Sequence, residues 1–550
     1  MNPITSIHES FIAFLKSKFT ITSDIIPQCN FVINTDTNKL DFGDLTTNAA
    51  LVLAKELKQN PTSIAQYIVE QFSHPLIKKI ERAGPGFINI FLSDEAWATI
   101  GKELWQQKEG FFKPENNQVP HTYNIEFVSA NPTGPLHLGH GRGAIIGDVL
   151  AKILTFLGHK VTKEFYINDA GNQITKLGMS LKIRIQQELG ISTELPEDAY
   201  HGLYLIDLAQ QCIKEHGTGI IEQPQPFFEQ YAKDHLLQKI KQTLEYYGLT
   251  FDVWFSEKTL HKSNAIPDAL TQLKSENYIY EHEQALWFAS TKFGDDKDRV
   301  VRKSSGEWTY VAADIAYLLN KAQRGFDTLI MILGHDHHSY AVRLQGIRQA
   351  LGLNTIGLDI ILYQLVTMKA SGQLVQMSKR AGTGITLHEV IDAVGPDIAR
   401  FFYLQRKADA QLEFDLDLAL KKTEENPVYY IQYAYVRTGS ILEKATQERE
   451  LQDITIDDSA HLGTNEALLL KKIISLQTIL EVIQNTHQTH HLAYYTIELA
   501  DLFHRYYAQN RVINLENIPQ SRARLLLITI LRNTFALTFD LLGISKPEKM

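Results

Sequence analysis

Cysteine is almost absent: Cys29 and Cys212 are the only two in 550 residues. That excludes a disulfide-knit scaffold and, with no C-x-x-C pair anywhere, a cysteine-rich zinc site. Long hydrophobic runs are missing too. The longest apolar stretches, such as Leu525 to Leu531, break at a charge, here Arg532, well short of the ~18 residues a membrane span needs, so no membrane partner is expected. The N-terminus carries Glu9 early, has no continuous apolar segment ending in a small-residue cleavage site, and is poor in arginine. Neither a secretory signal nor a transit peptide is predicted, and a cytoplasmic location is expected. A basic excess is also lacking. With 54 Lys and Arg against 63 Asp and Glu, the net charge is −9, so bulk charge does not advertise a nucleic-acid binder, although a local basic face can coexist with an acidic total.

What is present is an ordinary globular composition, 44% apolar and 21% charged, in a chain long enough for two to four domains of the usual ~100–150 residues. The first segment, 1–112, reads as a small α+β unit. Phe11, Phe14 and Leu15 fall at helical spacing, Ala49 to Leu57 continues as a helix that ends before Asn60-Pro61, and Phe87 to Phe91 alternates like a strand after Gly84-Pro85-Gly86. The polar stretch Lys113 to Asn117 has linker composition. From Tyr123 the pattern becomes strand, loop, helix, strand. Tyr123 to Val128 is a short apolar strand; Ile145, Ile146, Val149, Ile153 and Leu157 mark a buried helix face stopped by Gly158; Val161 to Ile167 is the next strand. That βαβ unit implies a parallel sheet, to which Thr328 to Leu333 and Ile360 to Leu365 add further strands. Residues ~175–260 read as a helical insertion. Beyond about Asp397 strand signals fade, and the stripes Leu469, Ile473, Leu476, Leu480, Ile483 and Leu499, Leu502, Tyr506, Ile513 predict a C-terminal helix bundle. The expected class is multidomain α/β, divided at 113–395 and 396–550 after the N-terminal unit.

Chemistry concentrates in a few places. The loop Ala130 to His140 joins the first sheet strand to its helix, and a helix N-terminus after a parallel strand suits a phosphate. His137 and His140, three apart at that helix start, would point the same way and could stabilise charge on phosphorus. Taken alone, they could also be helix-start residues without a ligand. Gly139, Gly141 and Ala144 fit the dinucleotide pattern G-x-G-x-x-A, but they begin 11 residues after Val128, and Glu164, the best available ribose acid, sits inside the next strand. The NAD-dependent oxidoreductase alternative is therefore weakly supported. A second basic stretch, Gln376-Met377-Ser378-Lys379-Arg380, lies among Gly372, Gly382 and Gly384, as a mobile polyphosphate-binding loop would, or a solvated turn. Gly334-His335-Asp336-His337-His338 follows a predicted strand at the end where open α/β sheets bind ligands. Adjacent positions on one loop seldom converge on a single ion, so no protein-bound metal is expected there.

His137-Leu138-Gly139-His140 together with Met377-Ser378-Lys379-Arg380 resembles the paired signatures of class I aminoacyl-tRNA synthetases, in the right order and on the right elements. Gln376 departs from the family pattern, standing where a first lysine is usual. The resemblance narrows to the arginyl-tRNA synthetase family through Glu126 to Pro135, Trp308-Thr309-Tyr310 with Asp314 to Tyr317, Asn426 to Ala434, the ending Leu542 to Met550, and Phe42-Gly43-Asp44 with Thr47-Asn48. It implies a Rossmann-like catalytic domain and the substrates L-arginine, tRNA(Arg) and ATP carrying Mg2+; a monomer is expected.

By resemblance, ATP is held by His137, Gly139, His140, Gly334, Asp336, His337, Met377, Ser378 and Lys379, with His137, His140, Lys379 and Arg380 catalytic. Arginine is held by Glu126, Asn131, Tyr310 and Asp314. The same resemblance implies that the N-terminal unit contacts the tRNA elbow; in the helical domain, where aromatics suit stacking on unpaired bases, Tyr433, Tyr506 and Tyr507, with Met550 at the chain end, are candidate tRNA contacts. Arginine suits the reading physically, since a permanently charged five-donor group needs carboxylates and acceptors, and Tyr310 and Asp314 are four apart, hence on one face of a helix. A non-catalytic, synthetase-like tRNA-binding protein stays open as the other alternative.

Overall fold

In the computed structural model the described residues are 3–22, 25–36, 38–114, 119–375 and 385–550. Met377, Ser378, Lys379 and Arg380, with Gln376 before them, lie outside the described residues, as does most of the polar stretch after Lys113.

The N-terminal unit has the expected helices, Pro3–Lys18 and Ala49–Leu57. They cover one face of a four-stranded antiparallel sheet whose strands run in the order Phe31–Ile33, Leu45–Thr47, Phe87–Leu92, Ile77–Ala83. Phe11 and Leu15 are buried there. Asp44 anchors the unit to the far end of the chain: it accepts from the Leu92 amide at 2.8 Å and pairs with the buried Lys471 at 3.1 Å.

The central sheet has five parallel strands in the order Gly357–Tyr363, Thr328–Gly334, Thr122–Glu126, Lys160–Ile167, Val253–Ser256. In chain order that is 5-4-1-2-3, so the winding reverses between the two central strands, and a ligand crevice opens at their carboxyl ends, beside Glu126 and Gly334. The helix Leu138–Phe156 follows the first strand and is buried along most of its length. Its glycines serve packing: a Cβ on Gly147 would overlap the Phe127 ring, and one on Gly143 would lie 2.7 Å from Tyr363. Gly158 ends it at φ +95°, as expected.

Two features depart from the sequence reading. Residues ~175–260 do hold helices, Asn172–Glu188, Tyr204–His216 and Gln225–Tyr246, but Val253–Ser256 within that span is the fifth strand of the sheet. Four-residue strands carry too little periodicity to stand out after a long helix. Past position 396, the strand Leu412–Asp415 pairs in parallel with Val366–Ala370, so one small sheet bridges the two sides of that position. The helix bundle proper begins at Pro427, with helices Pro427–Ala445, Thr464–Thr486, His490–Gln509 and Ile518–Leu542; Ile513, placed on the third helix by its spacing, lies beyond the end of that helix. Ile518–Leu542 is long and apolar enough to cross a membrane by length and composition, contrary to the reading of its interrupted runs. However, 72% of its most apolar window is buried against the rest of the protein.

Candidate functional site

At the first strand's carboxyl end the backbone turns sharply. Val128 and Ser129 have φ of +67° and +39°, a conformation costly for a β-branched residue and typical of strain held at a working site. The chain then reaches the helix start through His137, which is the N-cap. Its Nδ1 accepts from the Gly139 amide at 3.1 Å, and the His140 Nδ1 accepts from the His137 amide at 3.1 Å. With both Nδ1 atoms accepting, the proton of each neutral imidazole sits on Nε2, where it is a donor. The rings stack with centroids 3.6 Å apart, so the two do point the same way.

The segment after the second basic motif is bonded to this same turn. Leu138 N donates to Ile385 O at 3.3 Å and Leu387 N to Leu136 O at 2.8 Å, with His137 opposite Thr386 in an isolated bridge. Residues 385–387 therefore begin against the histidine turn, and Thr386 caps the helix Leu387–Val394 in a reciprocal box with Glu389.

Behind the turn lies a cluster of carboxylates. Strand register sets Glu126 beside Glu164, two carboxylates side by side that would repel each other. The helix Tyr310–Gln323 supplies the remedy. Tyr310, Asp314, Tyr317 and Lys321 recur at helical spacing on one side. The buried Lys321 ammonium reaches Glu126 at 2.6 Å and Asn124 Oδ1 at 2.8 Å, the Tyr317 hydroxyl donates to Glu126 at 3.0 Å and also to Glu164, and Arg324 closes on Glu164 at 2.6 and 3.0 Å. Ser129 Oγ donates to the other Glu126 oxygen at 3.1 Å. Burial, together with Lys321 and the bonds from Arg324 and Tyr317, leaves the Glu164 carboxyl below its usual range, because the partners outweigh the desolvation. Glu164 is thus consumed in the protein interior, and Gly141 packs on Leu387 and Tyr403; neither is placed for a dinucleotide.

Asp314 behaves differently. Burial pushes its carboxyl up to about 7, opposed by a hydrogen bond from Tyr340 and by the Arg343 charge, and reinforced by Glu257 and Glu126. Glu257, 4% exposed at the start of the helix Glu257–Lys262, is also pushed up by burial, against hydrogen bonds from Tyr166 and His261. Sequence reasoning missed Glu257 and Tyr340. Glu257 was hidden by the insertion reading, although an acid directly after a strand's carboxyl end was the available signal; for Tyr340 there was none.

The remaining expected residues fall around this centre with varied exposure. Tyr310 is 55% exposed and Asn131 is exposed; the loop carrying Asn131 is braced by Tyr204, whose hydroxyl donates to Thr133 O. Gly334 ends its strand, and Asp336 and His337 form an exposed turn with 3.9 Å between Asp336 Oδ2 and His337 Nε2. Among the described residues no group of three acidic, histidine or cysteine side chains is arranged to hold a metal. In the helical domain, Tyr433 and Tyr507 are exposed and sandwich Arg437, whose guanidinium carbon lies 4.5 and 5.3 Å from their ring centres. Met550 is exposed at the chain end. Tyr506 is turned inward instead: it is 7% exposed and its hydroxyl donates to Glu466 at 3.1 Å. It neighbours Tyr507 on a helix and so faces another side.

Comparison with known proteins gives three family models in succession along the chain: arginyl tRNA synthetase N terminal domain over residues 6–92, class I tRNA synthetases (R) catalytic domain over 102–400, and DALR anticodon binding domain over 431–550. The arginine–tRNA ligase of Desulforamulus reducens is 43% identical over 516 residues, 92% of each chain. That of Geobacter sp. strain M21 is 41% identical over 541 residues, 96% of each. The arginyl-tRNA synthetase of Thermus thermophilus, 20% identical, shares the fold over all of both chains with a TM-score of 0.76.

Proposed function

The chain belongs to the arginyl-tRNA synthetase family and joins arginine to tRNA, and we propose that it does so in two steps shared between the histidine turn, the carboxylate cluster and the second basic motif. The arginine α-carboxylate is ionised at neutral pH, so it attacks the ATP α-phosphorus without a general base. The bond to the departing pyrophosphate breaks, and arginyl-adenylate forms. Catalysis is then positioning and charge stabilisation. His137 and His140 donate from Nε2 to phosphate oxygens, Gly139 leaves room for the nucleotide, and Lys379, aided by Arg380 with Met377 and Ser378 beside them, neutralises the leaving pyrophosphate. Mg2+ arrives with ATP as part of that substrate. Gly334, Asp336 and His337 hold the adenosine. In the second step the 2′-hydroxyl of the terminal adenosine of tRNA(Arg) attacks the adenylate and AMP leaves.

Arginine sits with its guanidinium at Tyr310 and Asp314 and its amino-acid end toward Glu126 and Asn131. A pocket of buried carboxylates rejects neutral analogues because its charges would be left unpaired. The single observation that supports this reading is the main-chain pairing of residues 385–387, which follow the second motif closely in sequence, with the histidine turn. On the RNA, Tyr433 and Tyr507, with Arg437 between them, suit stacking of unpaired bases, Met550 lies within the same domain, and the N-terminal unit meets the elbow. The protein acts as a monomer in the cytoplasm, which suits its two free, buried cysteines; light scattering at 62.5 kDa checks the first point. Arginine-dependent ATP–pyrophosphate exchange, run with and without tRNA(Arg), tests the whole. Exchange with arginine and none with lysine or citrulline is expected, and tRNA binding without any exchange would return the non-catalytic alternative.

A further inference from the structure

We propose that Tyr340 is a positioning residue for arginine recognition: its hydroxyl fixes the Asp314 carboxylate, and its ring ties the guanidinium pocket to the turn at Asp336 and His337. The proposal rests on Asp314 being the partner of the guanidinium. Tyr340 is the third residue of the helix His338–Ala350, which continues directly from the turn His335–His337. Its hydroxyl donates to Asp314 Oδ1 at 2.8 Å, and its ring meets the His337 ring edge-on with centroids 5.9 Å apart. One side chain thus touches both halves of the cleft. Enclosure keeps the phenol protonated far above neutral pH, so it remains a donor throughout the working range, and the group that titrates is the carboxyl.

The groups that face Asp314 come from four neighbouring elements: Tyr340 and Arg343 from the helix His338–Ala350, Glu257 from the helix Glu257–Lys262, Glu126 from the central strand, and Tyr166 from the strand Lys160–Ile167, whose phenol burial keeps protonated with help from the Asp314 charge. With its carboxyl pushed up to about 7, the empty pocket is partly protonated at neutral pH. A guanidinium pairs with the ionised form, so arginine affinity rises as pH climbs through about 7 and levels off above it. Tyr340 favours the charged form; removing its hydroxyl moves that rise to higher pH. A tyrosine that merely filled space would not move it.

The experiment uses the full-length protein, with arginine and ATP KM measured by pyrophosphate exchange in the presence of tRNA(Arg) from pH 6 to 9. Tyr340→Phe keeps the ring. It is expected to raise the arginine KM about tenfold at pH 7, as loss of one hydrogen bond to a charged group does. The midpoint of the pH curve should move up, the deficit should shrink toward pH 9, and the ATP KM should stay within about twofold of wild type. Tyr340→Leu, which removes the ring as well, should also raise the ATP KM; an unchanged value there overturns the link to the nucleotide side. Asp314→Asn should raise the arginine KM and flatten its pH dependence. If it does so while Tyr340→Phe leaves both KM and midpoint at wild type, or lowers kcat alone, the role of Tyr340 is overturned and the pocket reading stands. If Asp314→Asn leaves the arginine KM unchanged, the pocket reading itself fails.

Discussion

On the arginine side of the cleft the carboxylates are held by side chains from several elements: Glu126 by Lys321, Tyr317 and Ser129, and Asp314 by Tyr340. On the nucleotide side the parts are held by main chain, with His137 and His140 capped onto a helix start and Asp336 projecting 86% exposed from a strand end. The difference follows from the ligands. A phosphate carries its own charge to a helix N-terminus, whose amides are aligned whatever the side chains. A guanidinium needs anions, and an anion placed in a protein interior is tolerated only when partners surround it. Selectivity for arginine therefore reaches deep into the fold, whereas the nucleotide side is a surface feature of the sheet's carboxyl edge.

Substitutions can break this contrast. The largest effect is expected from Lys379→Ala, which should lower exchange about 10³-fold, in the range of lost charge stabilisation at a transition state, with tRNA affinity little changed. Undiminished exchange would remove Lys379 from the chemistry. Lys321→Met should be felt in folding, because it strands Glu126 without its cation. A loss of about 3–5 kcal/mol is expected by urea unfolding; wild-type stability would mean that the network beneath the pocket is not structural. Asp314→Ala should raise the arginine KM about 100-fold with the ATP KM nearly intact, and equal losses for both substrates would erase the distinction between the two sides. The smallest effect on the fold belongs to Asp336→Ala, where an exposed side chain is replaced: unchanged thermal stability with a raised ATP KM is expected, and a melting temperature that fell would show the nucleotide side to be built like the other.

Much of the frame is legible in the sequence. The helix over Ala49–Leu57 ends where Asn60-Pro61 required it to, the βαβ unit from Tyr123 to Ile167 formed as its apolar pattern indicated, and Tyr310 and Asp314 do share a helix face. These are local matters of periodicity and chain stops. The antiparallel strands Ile279–His282, Ala285–Phe288 and Arg299–Arg302 went unread, as did Val253–Ser256, since four residues of half-buried strand give two alternations at most. Tyr506 illustrates the other limit. A row of tyrosines on a helical domain does not say which of them reach RNA, since neighbours on a helix point about 100° apart, and the side turned to Glu466 belongs to the core.

The amino-acid sequence by itself determined the longer helices and strands and where the two signature motifs stand along the chain, because backbone preference and apolar spacing act over a few residues. Tertiary structure decided which distant side chains share a charge. That Lys321 neutralises Glu126, that Arg324 takes Glu164, and that Tyr340 rather than a nearer residue holds Asp314 depend on strand order and register, which bring together groups up to about 200 positions apart. Electrostatic pairing in a low-dielectric interior is governed by distance in space, and distance in space is what the folded sheet alone supplies.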